Sequence, residues 1–478
     1  MGKDLHNDEG NPNTPNIVIQ VLDPIECSVS KENGMLLRPC LTYPASYWKD
    51  GKFHKEEVEY EQEAFTYKRG DNWRFLTGLL PRIRKYCQAQ DLPLQILGET
   101  TTVPDYEETH AAGNYTLRKD QFDLVNKVPL LLRGVIKAPT GMGKTIIQLG
   151  IFEWFHNSTV LLLAHTSNIV IQTAKKFDEE GFDVQRIGGG KQFSGKFTSD
   201  IVISTRQSFA KINPKLYCDH FDIVMIDETH HVSTKSGQYA KILKSLLCPI
   251  RLGFTATLEN EEVKPQAAFT CEGFLGPVIG EVTMEEAQNL GILAKPRVKL
   301  KKSPESSSIR RLTKYPDVYQ SGIVANYDRN RIIMDSVHEH VVKGDTVLVF
   351  VKTIQHAGRL ESMARGYKSL KDCTKVVKGS VSATVREDTR LALGDKTVKC
   401  VISTVVWQEG IDVPSLDVIW NAGAGKDEKD TLQKVGRGLR KADGKEEVVI
   451  YDIFDPSHPY LVKHFGHRVS LYMDNGWL

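Results

Sequence analysis

Three short runs in this chain hold residues whose types and spacing could do phosphate chemistry. The first, APTGMGKT (138–145), joins an apolar stretch, GVIK, to a helix-like one, KTIIQLGIFEWF. Gly141 and Gly143 allow backbone N–H groups to approach an anion, and the positive end of the following helix adds attraction. Pro139, Thr140 and Met142 complete the turn. Lys144 is placed to neutralise the β and γ phosphates of a nucleotide, and the Thr145 hydroxyl to hold Mg²⁺. Ala138 stands where the general GxxxxGK[ST] pattern has glycine.

The second run, VMIDETHH (224–231), ends an apolar stretch with two acids. Asp227 at a strand end suits a direct or water-mediated Mg²⁺ contact, and Glu228 is then placed to orient or deprotonate an attacking water. Adjacent histidines project in different directions, so His230 and His231 do not make a metal pair. His230 is expected to bridge the nucleotide site to a second lobe. The third run, LQKVGRGLR (432–440), sets Arg437 and Arg440 three apart behind Gln433. It is either a solvated basic helix end or a pair of guanidinium groups reaching for the phosphates held by the first run.

Elements must place these residues. From about Gly134, β-branched runs alternate with helix-like segments: GVIKAP, TVLLLAHT, DIVISTRQ, FDIVMIDE and IRLGFTAT. Apolar on both faces, such strands belong in a parallel sheet covered by helices. After Leu293 the rhythm restarts with DTVLVFVKT, KCVISTVV, LDVIWNAG and EEVVIYDIF, while 301–322 reads as a polar insertion. No fixed-period repeat is visible. The first 110 residues differ: NIVIQVLD and FTYKRGDNWRFL read as strands, PRIRKYCQAQD as a helix begun by Pro81, and GETTTVPDYEETHAAGN as a linker. The expected class is α/β, two tandem lobes with parallel sheets preceded by a small α+β domain, divided at 1–112, 113–290 and 291–478. The first stretch, MGKDLHNDEGNPNTPN, reads as a flexible arm rather than a signal peptide.

Composition narrows the class. Of 478 residues, 40% are hydrophobic and 26% charged, ordinary for a soluble globular protein of two or three domains. No charge-free apolar run is long enough to span a membrane. The eight cysteines include no CxxC pair, so the sequence suggests neither zinc nor a disulfide framework, and a reducing cytoplasm fits. A net charge of +2 says little, but residues 66–90 carry six basic residues against one acid, a local +5. There Trp73 and Phe75 interleave with Arg74, and Arg69 lies close by, the pattern of a nucleic-acid surface.

In order along the chain, APTGMGKT, DETH, FTATL, STVVWQEGIDVP and QKVGRGLR resemble motifs I, II, III, V and VI of the superfamily 2 helicases and translocases. The resemblance covers roughly residues 113–455. It implies two RecA-like lobes with ATP and Mg²⁺ between them, and it carries Gln433, Arg437 and Arg440 to the γ-phosphate. YTLRKDQ (115–121) is similar to the family's adenine-reading segment, with Arg118 and Gln121 as candidates. Thr255, Ala256 and Thr257 correspond to the motif that couples hydrolysis to lobe movement. Gly410 and Asp412 fall on the nucleotide side of motif V. Thr166, Gln172, Gly189, Thr205 and Gln207 in the first lobe, with Lys352 and Thr404 in the second, are candidates to hold a nucleic-acid backbone.

Residues 65–96 and NYDRNRII (326–333) resemble the phage branch-migration helicases of the UvsW type. That resemblance implies an ATP-dependent DNA helicase or translocase that remodels junctions, forks and recombination loops. It would work in the cytoplasm, that of the bacterial host if the protein is phage-encoded, with branched DNA or an RNA–DNA hybrid as partner and a monomer favoured. An RNA or RNA–DNA hybrid helicase is the alternative enzyme, and a non-hydrolysing DNA-binding scaffold the alternative of another class.

Overall fold

The computed structural model describes residues 16–50, 55–98, 104–258, 261–404, 416–425 and 447–478. The chain divides into two units, Met1–Lys137 with Thr145–Glu281, and Ala138–Lys144 with Val282–Leu478. Among the described residues no helix is long and apolar enough to cross a membrane.

The first unit opens with β1 (Ile17–Val21), β2 (Glu26–Ser30), the helix Lys31–Leu41, a hairpin of β3 (Thr42–Asp50) and β4 (Lys55–Glu63), then β5 (Tyr67–Arg69), β6 (Asn72–Leu76), the helix Leu80–Ala89 and β7 (Leu94–Leu97). Five of these strands form one sheet in the order β5-β6-β2-β1-β7, with only β1 and β7 parallel. In β6, NWRFL, Trp73 and Phe75 point inward while Asn72 and Arg74 face solvent, the two-residue period of a half-buried strand. Ser30 caps its helix by accepting the N–H of Asn33. Pro81 lies in the first turn of its helix, where no N–H is required.

There follow β8 (Ala111–Ala112), β9 (Tyr115–Thr116), β10 (Arg133–Lys137), β11 (Val160–Ala164), β12 (Val184–Ile187), β13 (Ile201–Thr205), β14 (Ile223–Asp227), β15 (Ile250–Thr255) and β16 (Val278–Glu281). The last seven make an all-parallel sheet in the order β12-β13-β11-β14-β15-β10-β16. β11 and β13 are buried along their whole lengths, as strands with helices on both faces must be.

The N-terminal sheet and this lobe share their cores. Phe269, from the lobe helix Pro265–Leu275, packs in the N-terminal core against Tyr43, ring centroids 4.8 Å apart. Leu76 and Ile25 in turn belong to the lobe's core. The backbones meet closely at Gly78, where a Cβ would collide with the carbonyl oxygens of Glu272 and Gly273. The end of the stretch read as a linker also lies on the lobe. Tyr106 stacks on Trp154, whose indole N–H donates to the Thr109 carbonyl at 2.6 Å.

The second unit holds β17 (Lys295–Lys302), β18 (Val347–Phe350), β19 (Thr374–Val377), β20 (Cys400–Ser403), β21 (Val418–Asn421) and β22 (Glu447–Phe454). All are parallel, in the order β17-β22-β21-β18-β20-β19. Strand for strand this repeats β10-β15-β14-β11-β13-β12 of the first lobe, so a duplication invisible as a sequence period is plain in the topology. One clip recurs in both copies. Thr159 donates its N–H and hydroxyl to Asp222 Oδ2 at 2.8 and 2.9 Å, and Thr346 does the same to Asp417 at 2.9 and 3.1 Å. Each clip ties the starts of two neighbouring strands. The polar insertion folds on a small core of its own, Ile309, Val318, Tyr319, Ile323 and Val324 against Ala424 and Leu461.

Candidate nucleotide and nucleic-acid sites

Because the first-lobe strands are parallel, their C-terminal ends share one edge of the sheet. β10 ends at Lys137 opposite Thr255 of β15, and Phe254 of β15 lies opposite Asp227 of β14. The end of the phosphate-loop strand, Asp227 and Thr255 thus stand on three adjacent strands.

The loop leaving β10 has the backbone its glycines permit. Gly141 and Gly143 sit at φ +96° and +84°, conformations that side chains rarely adopt. Met142 is buried, and its N–H donates to the Pro139 carbonyl at 3.3 Å. Ala138 is fully buried, so its methyl is accommodated where the general pattern has glycine. Lys144 folds back over the loop, with Nζ donating to the Ala138 carbonyl at 3.3 Å, and Lys144 and Thr145 open the helix Lys144–Trp154. The Thr145 hydroxyl and Asp227 carboxylate offer the hard oxygen donors that Mg²⁺ requires.

After Asp227 the chain turns sharply. Glu228 adopts φ +53°, ψ +56°, uncommon for a residue with a side chain, and is 6% exposed. Its Oε2 lies 3.2 Å from His230 Nδ1, which is also 3.1 Å from Thr255 Oγ1. The Thr255 hydroxyl donates to the Thr257 carbonyl at 2.7 Å. Its one proton is therefore engaged, so His230 Nδ1 carries the hydrogen donated to Thr255, and the Glu228 carboxylate lies within ion-pair distance of the same nitrogen. The His230 imidazole thus lies between the acid of the second motif and the threonine of the third. His231 instead stacks on His165, centroids 3.5 Å apart.

The adenine candidates have local roles. Arg118 caps the helix Lys119–Val125, its N–H donating to Gln121 Oε1 at 3.2 Å, and its guanidinium pairs with Asp120 at 2.9 Å. Gln121 is buried.

The first-lobe backbone candidates collect beyond the neighbouring strands β11, β12 and β13. Thr166 and Thr205 both act as helix N-caps, accepting from Ile169 and Ser208, and Thr205 is buried. Gly189 takes φ +57° in the turn after β12; Gln172 is half-buried and Gln207 exposed. In the second unit Lys352 follows β18, with Nζ 5.7 Å from the Tyr319 ring, and Thr404 follows β20 and is buried. Gly410, Asp412, Gln433, Arg437 and Arg440 lie outside the described residues.

The N-terminal surface requires a correction. Arg69 and Arg74 are exposed, Arg74 within 3.4 Å of Glu26. Trp73, expected to face nucleic acid, is 6% exposed. It lies edge-on to Phe65 at 4.9 Å with Lys68 Nζ 3.8 Å above it, and Phe75 is fully buried. Both aromatics are core residues, and the inward register of β6 keeps them from stacking on bases. Arg82, one of the six cations of that stretch, turns into the protein. It pairs with Glu272 at 2.6 Å and Glu261 at 2.7 Å, and lies over the Phe269 ring at 4.3 Å. Burial opposes its charge, but the hydrogen bonds it donates to Glu261 and Glu272 more than offset that and raise its pKa. No signal in the local sequence points to this pairing, since both partners come from the distant lobe.

Residues 114–260 match the family described as type III restriction enzyme, res subunit, and residues 328–442 match the helicase conserved C-terminal domain. The chain is 24% identical over 447 residues to the ATP-dependent DNA helicase uvsW of Enterobacteria phage T4, covering 83% of this chain and 85% of that one. The chain belongs to the superfamily 2 helicases. It is an ATP-dependent helicase built of two tandem helicase domains after a small α+β region. This helicase is also 25% identical over 362 residues to the DNA 3′-5′ translocase XPB2 of Sulfurisphaera tokodaii, across 66% of this chain and 77% of that one. The fold is shared with the DUF1998 helicase MrfA bound to DNA and AMPPNP, at TM-score 0.59 and 16% identity over 79% of this chain and 54% of that one.

Proposed function

We propose that this helicase is a DNA translocase that remodels branched DNA, such as junctions, forks and recombination loops. The observation that carries the reading is the docking of the N-terminal sheet onto the first lobe through shared cores, which makes its exposed Arg69 and Arg74 part of the motor's own frame. A surface fixed in that way can hold one arm of a branched substrate while the motor pulls on another. The two relatives above carry DNA in their printed names, which favours DNA over RNA.

In this reading Pro139 to Gly143 cradle the phosphates of ATP and Lys144 neutralises them. Thr145 and Asp227 would hold Mg²⁺, which would supply positive charge to the phosphate oxygens. Glu228 orients the attacking water and accepts its proton. Gln433, Arg437 and Arg440 act on the γ-phosphate, and Arg118 and Gln121 lie by the base. His230 with Thr255, Ala256 and Thr257 transmits the change to the backbone contacts of Thr166, Gln172, Gly189, Thr205, Gln207, Lys352 and Thr404. A monomer is the favoured state, and the host's bacterial cytoplasm the place of action if the protein is phage-encoded.

The test is an ATPase assay with single-stranded DNA, duplex, four-way junction and RNA. Junction DNA should stimulate most. A preference for RNA would overturn the substrate assignment, and no turnover with any of the four would return the protein to a binding scaffold.

A further inference from the structure

The strongest concentration of positive charge in the sequence involves none of the residues placed in the sites above. Residues 295–314 hold eight basic residues, Lys295, Arg297, Lys299, Lys301, Lys302, Arg310, Arg311 and Lys314, against the single acid Glu305. That is +7 in 20 positions of a chain whose whole net charge is +2, so the remaining 458 residues sum to −5.

The fold arranges part of this charge with a regular spacing. Lys295, Arg297, Lys299 and Lys301 alternate along β17 and so share one face, while Pro296 and Val298 are buried on the other. Successive cations on that face stand about 6.6 Å apart and the four span about 20 Å. The strand occupies the place that β10 holds in the first lobe. There β16 covers the outer side of β10, whereas β17 is the outermost strand of its sheet among the described residues, and its Val298 N–H donates to the Trp477 carbonyl at 2.9 Å. Among the described residues, only Arg297 (3.7 Å from Glu447) and Arg310 (2.7 Å from Glu305) of the eight have an ion-pair partner.

Lysines on an edge strand also discourage pairing with another chain. That role explains β17 but not Arg310, Arg311 and Lys314, which lie beyond the strand in the insertion, are exposed, and protect no edge. Single-stranded nucleic acid is usually held with aromatic side chains for its bases. Residues 295–314 contain no aromatic residue.

We propose that β17 and the following insertion form a second nucleic-acid site, which takes the phosphate backbone of a duplex arm. The span of the strand cations matches about six steps of a duplex strand at ~3.4 Å each. This inference rests on the proposed action on branched nucleic acid and adds where a further arm is held.

The test uses the full chain in two variants. One carries Lys295→Gln, Arg297→Gln, Lys299→Gln and Lys301→Gln; the other carries Arg310→Gln, Arg311→Gln and Lys314→Gln, which leaves the sheet edge untouched. Junction and duplex affinities are measured across a salt series. The slope of log K against log salt should become shallower by about 0.9 for each phosphate that is no longer neutralised. The strand variant should bind a junction at least about tenfold more weakly at physiological salt. ATP turnover stimulated by single-stranded DNA should stay within about twofold of wild type. A Lys→Arg version of the strand variant should restore the slope. If the strand variant aggregates, the insertion variant alone decides. Wild-type slopes in the soluble variants overturn the proposal and leave edge protection, or an acidic protein partner, as the use of the charge. The slope is read on whichever nucleic acid the wild type binds, so a failure of the DNA assignment is seen separately, in the ATPase panel.

Discussion

Arg82 and Glu272, 190 residues apart in the chain, are joined Nη2 to Oε2 at 2.6 Å, and the same guanidinium reaches Glu261 through two further bonds at 2.9 and 2.7 Å. The pair is partly buried, with side chains 24% and 16% exposed. It fastens the N-terminal sheet to the helix that follows the Thr255-Ala256-Thr257 motif.

Arg82→Ala should therefore destabilise the first unit by about 2–3 kcal/mol, the range for removing charge-assisted hydrogen bonds. Arg82→Lys should recover only a minor part, since an ammonium cannot fork between two carboxylates. Urea unfolding of the three proteins measures this. Equal midpoints would show that the shared apolar core alone holds the two parts together.

Glu228→Gln should leave ATP binding intact and slow hydrolysis by ~10²–10⁴, the usual worth of a general base. His230→Ala removes the imidazole that hydrogen-bonds Thr255 and lies against Glu228. It should reduce nucleic-acid-stimulated kcat with little change in KM for ATP. A double-mutant cycle of His230→Ala with Thr255→Val should be markedly non-additive. Additive losses would mean that the imidazole does not couple the two motifs.

Lys144→Ala should abolish turnover with the fold retained. Arg437→Ala or Arg440→Ala should instead keep ATP binding and lose most of the stimulated rate, since arginine fingers contribute ~10³–10⁵ in phosphoryl transfer. Nucleotide titration followed by stimulated turnover separates the two cases. Normal stimulated turnover in both arginine variants would return that pair to a solvated helix end.

His356 supplies a pH dependence in the second unit. Burial, and then the charges of Arg329 and Arg359, lower its pKa from 6.5 to about 3, and Nε2 donates to Asn330 Oδ1 at 2.9 Å. Between those two values the unfolded chain binds a proton that the folded chain refuses. Its contribution to stability is thus complete above about pH 6.5 and declines as pH falls toward 3, by about 1.4 kcal/mol per unit within the window. His356→Gln should flatten the fall in unfolding midpoint between pH 7 and pH 5. A slope equal to wild type would show that other groups set the acid response.

The strands legible in the sequence are those that physics makes unambiguous. VLLLA in β11 is apolar throughout because both faces are covered, and it reads as a strand without any context. KPRVKLKK in β17 does not, because an outermost strand carries cations on its exposed face and so looks like a loop. The phosphate loop is legible from glycine and lysine spacing alone. Trp73 is not, since an aromatic between polar residues on a strand can point to either face and only the register of the partner strand β2 decides. Arg82 cannot be placed from its neighbours, because its partners lie 179 and 190 residues away. The His230 link needs β14 and β15 side by side, a fact of sheet order rather than of motif.

Phe269 completes the core of the N-terminal sheet, yet it is made 172 residues (269 − 97) after the last strand of that sheet ends at Leu97. At ~5–20 residues per second of synthesis, roughly ten to thirty seconds separate the two on the ribosome. During that interval the nascent sheet has an open apolar seat around Tyr43, so the first segment to emerge cannot be the first to finish folding. The arrival of the helix Pro265–Leu275, which brings Phe269 against Tyr43, is the event that closes that seat.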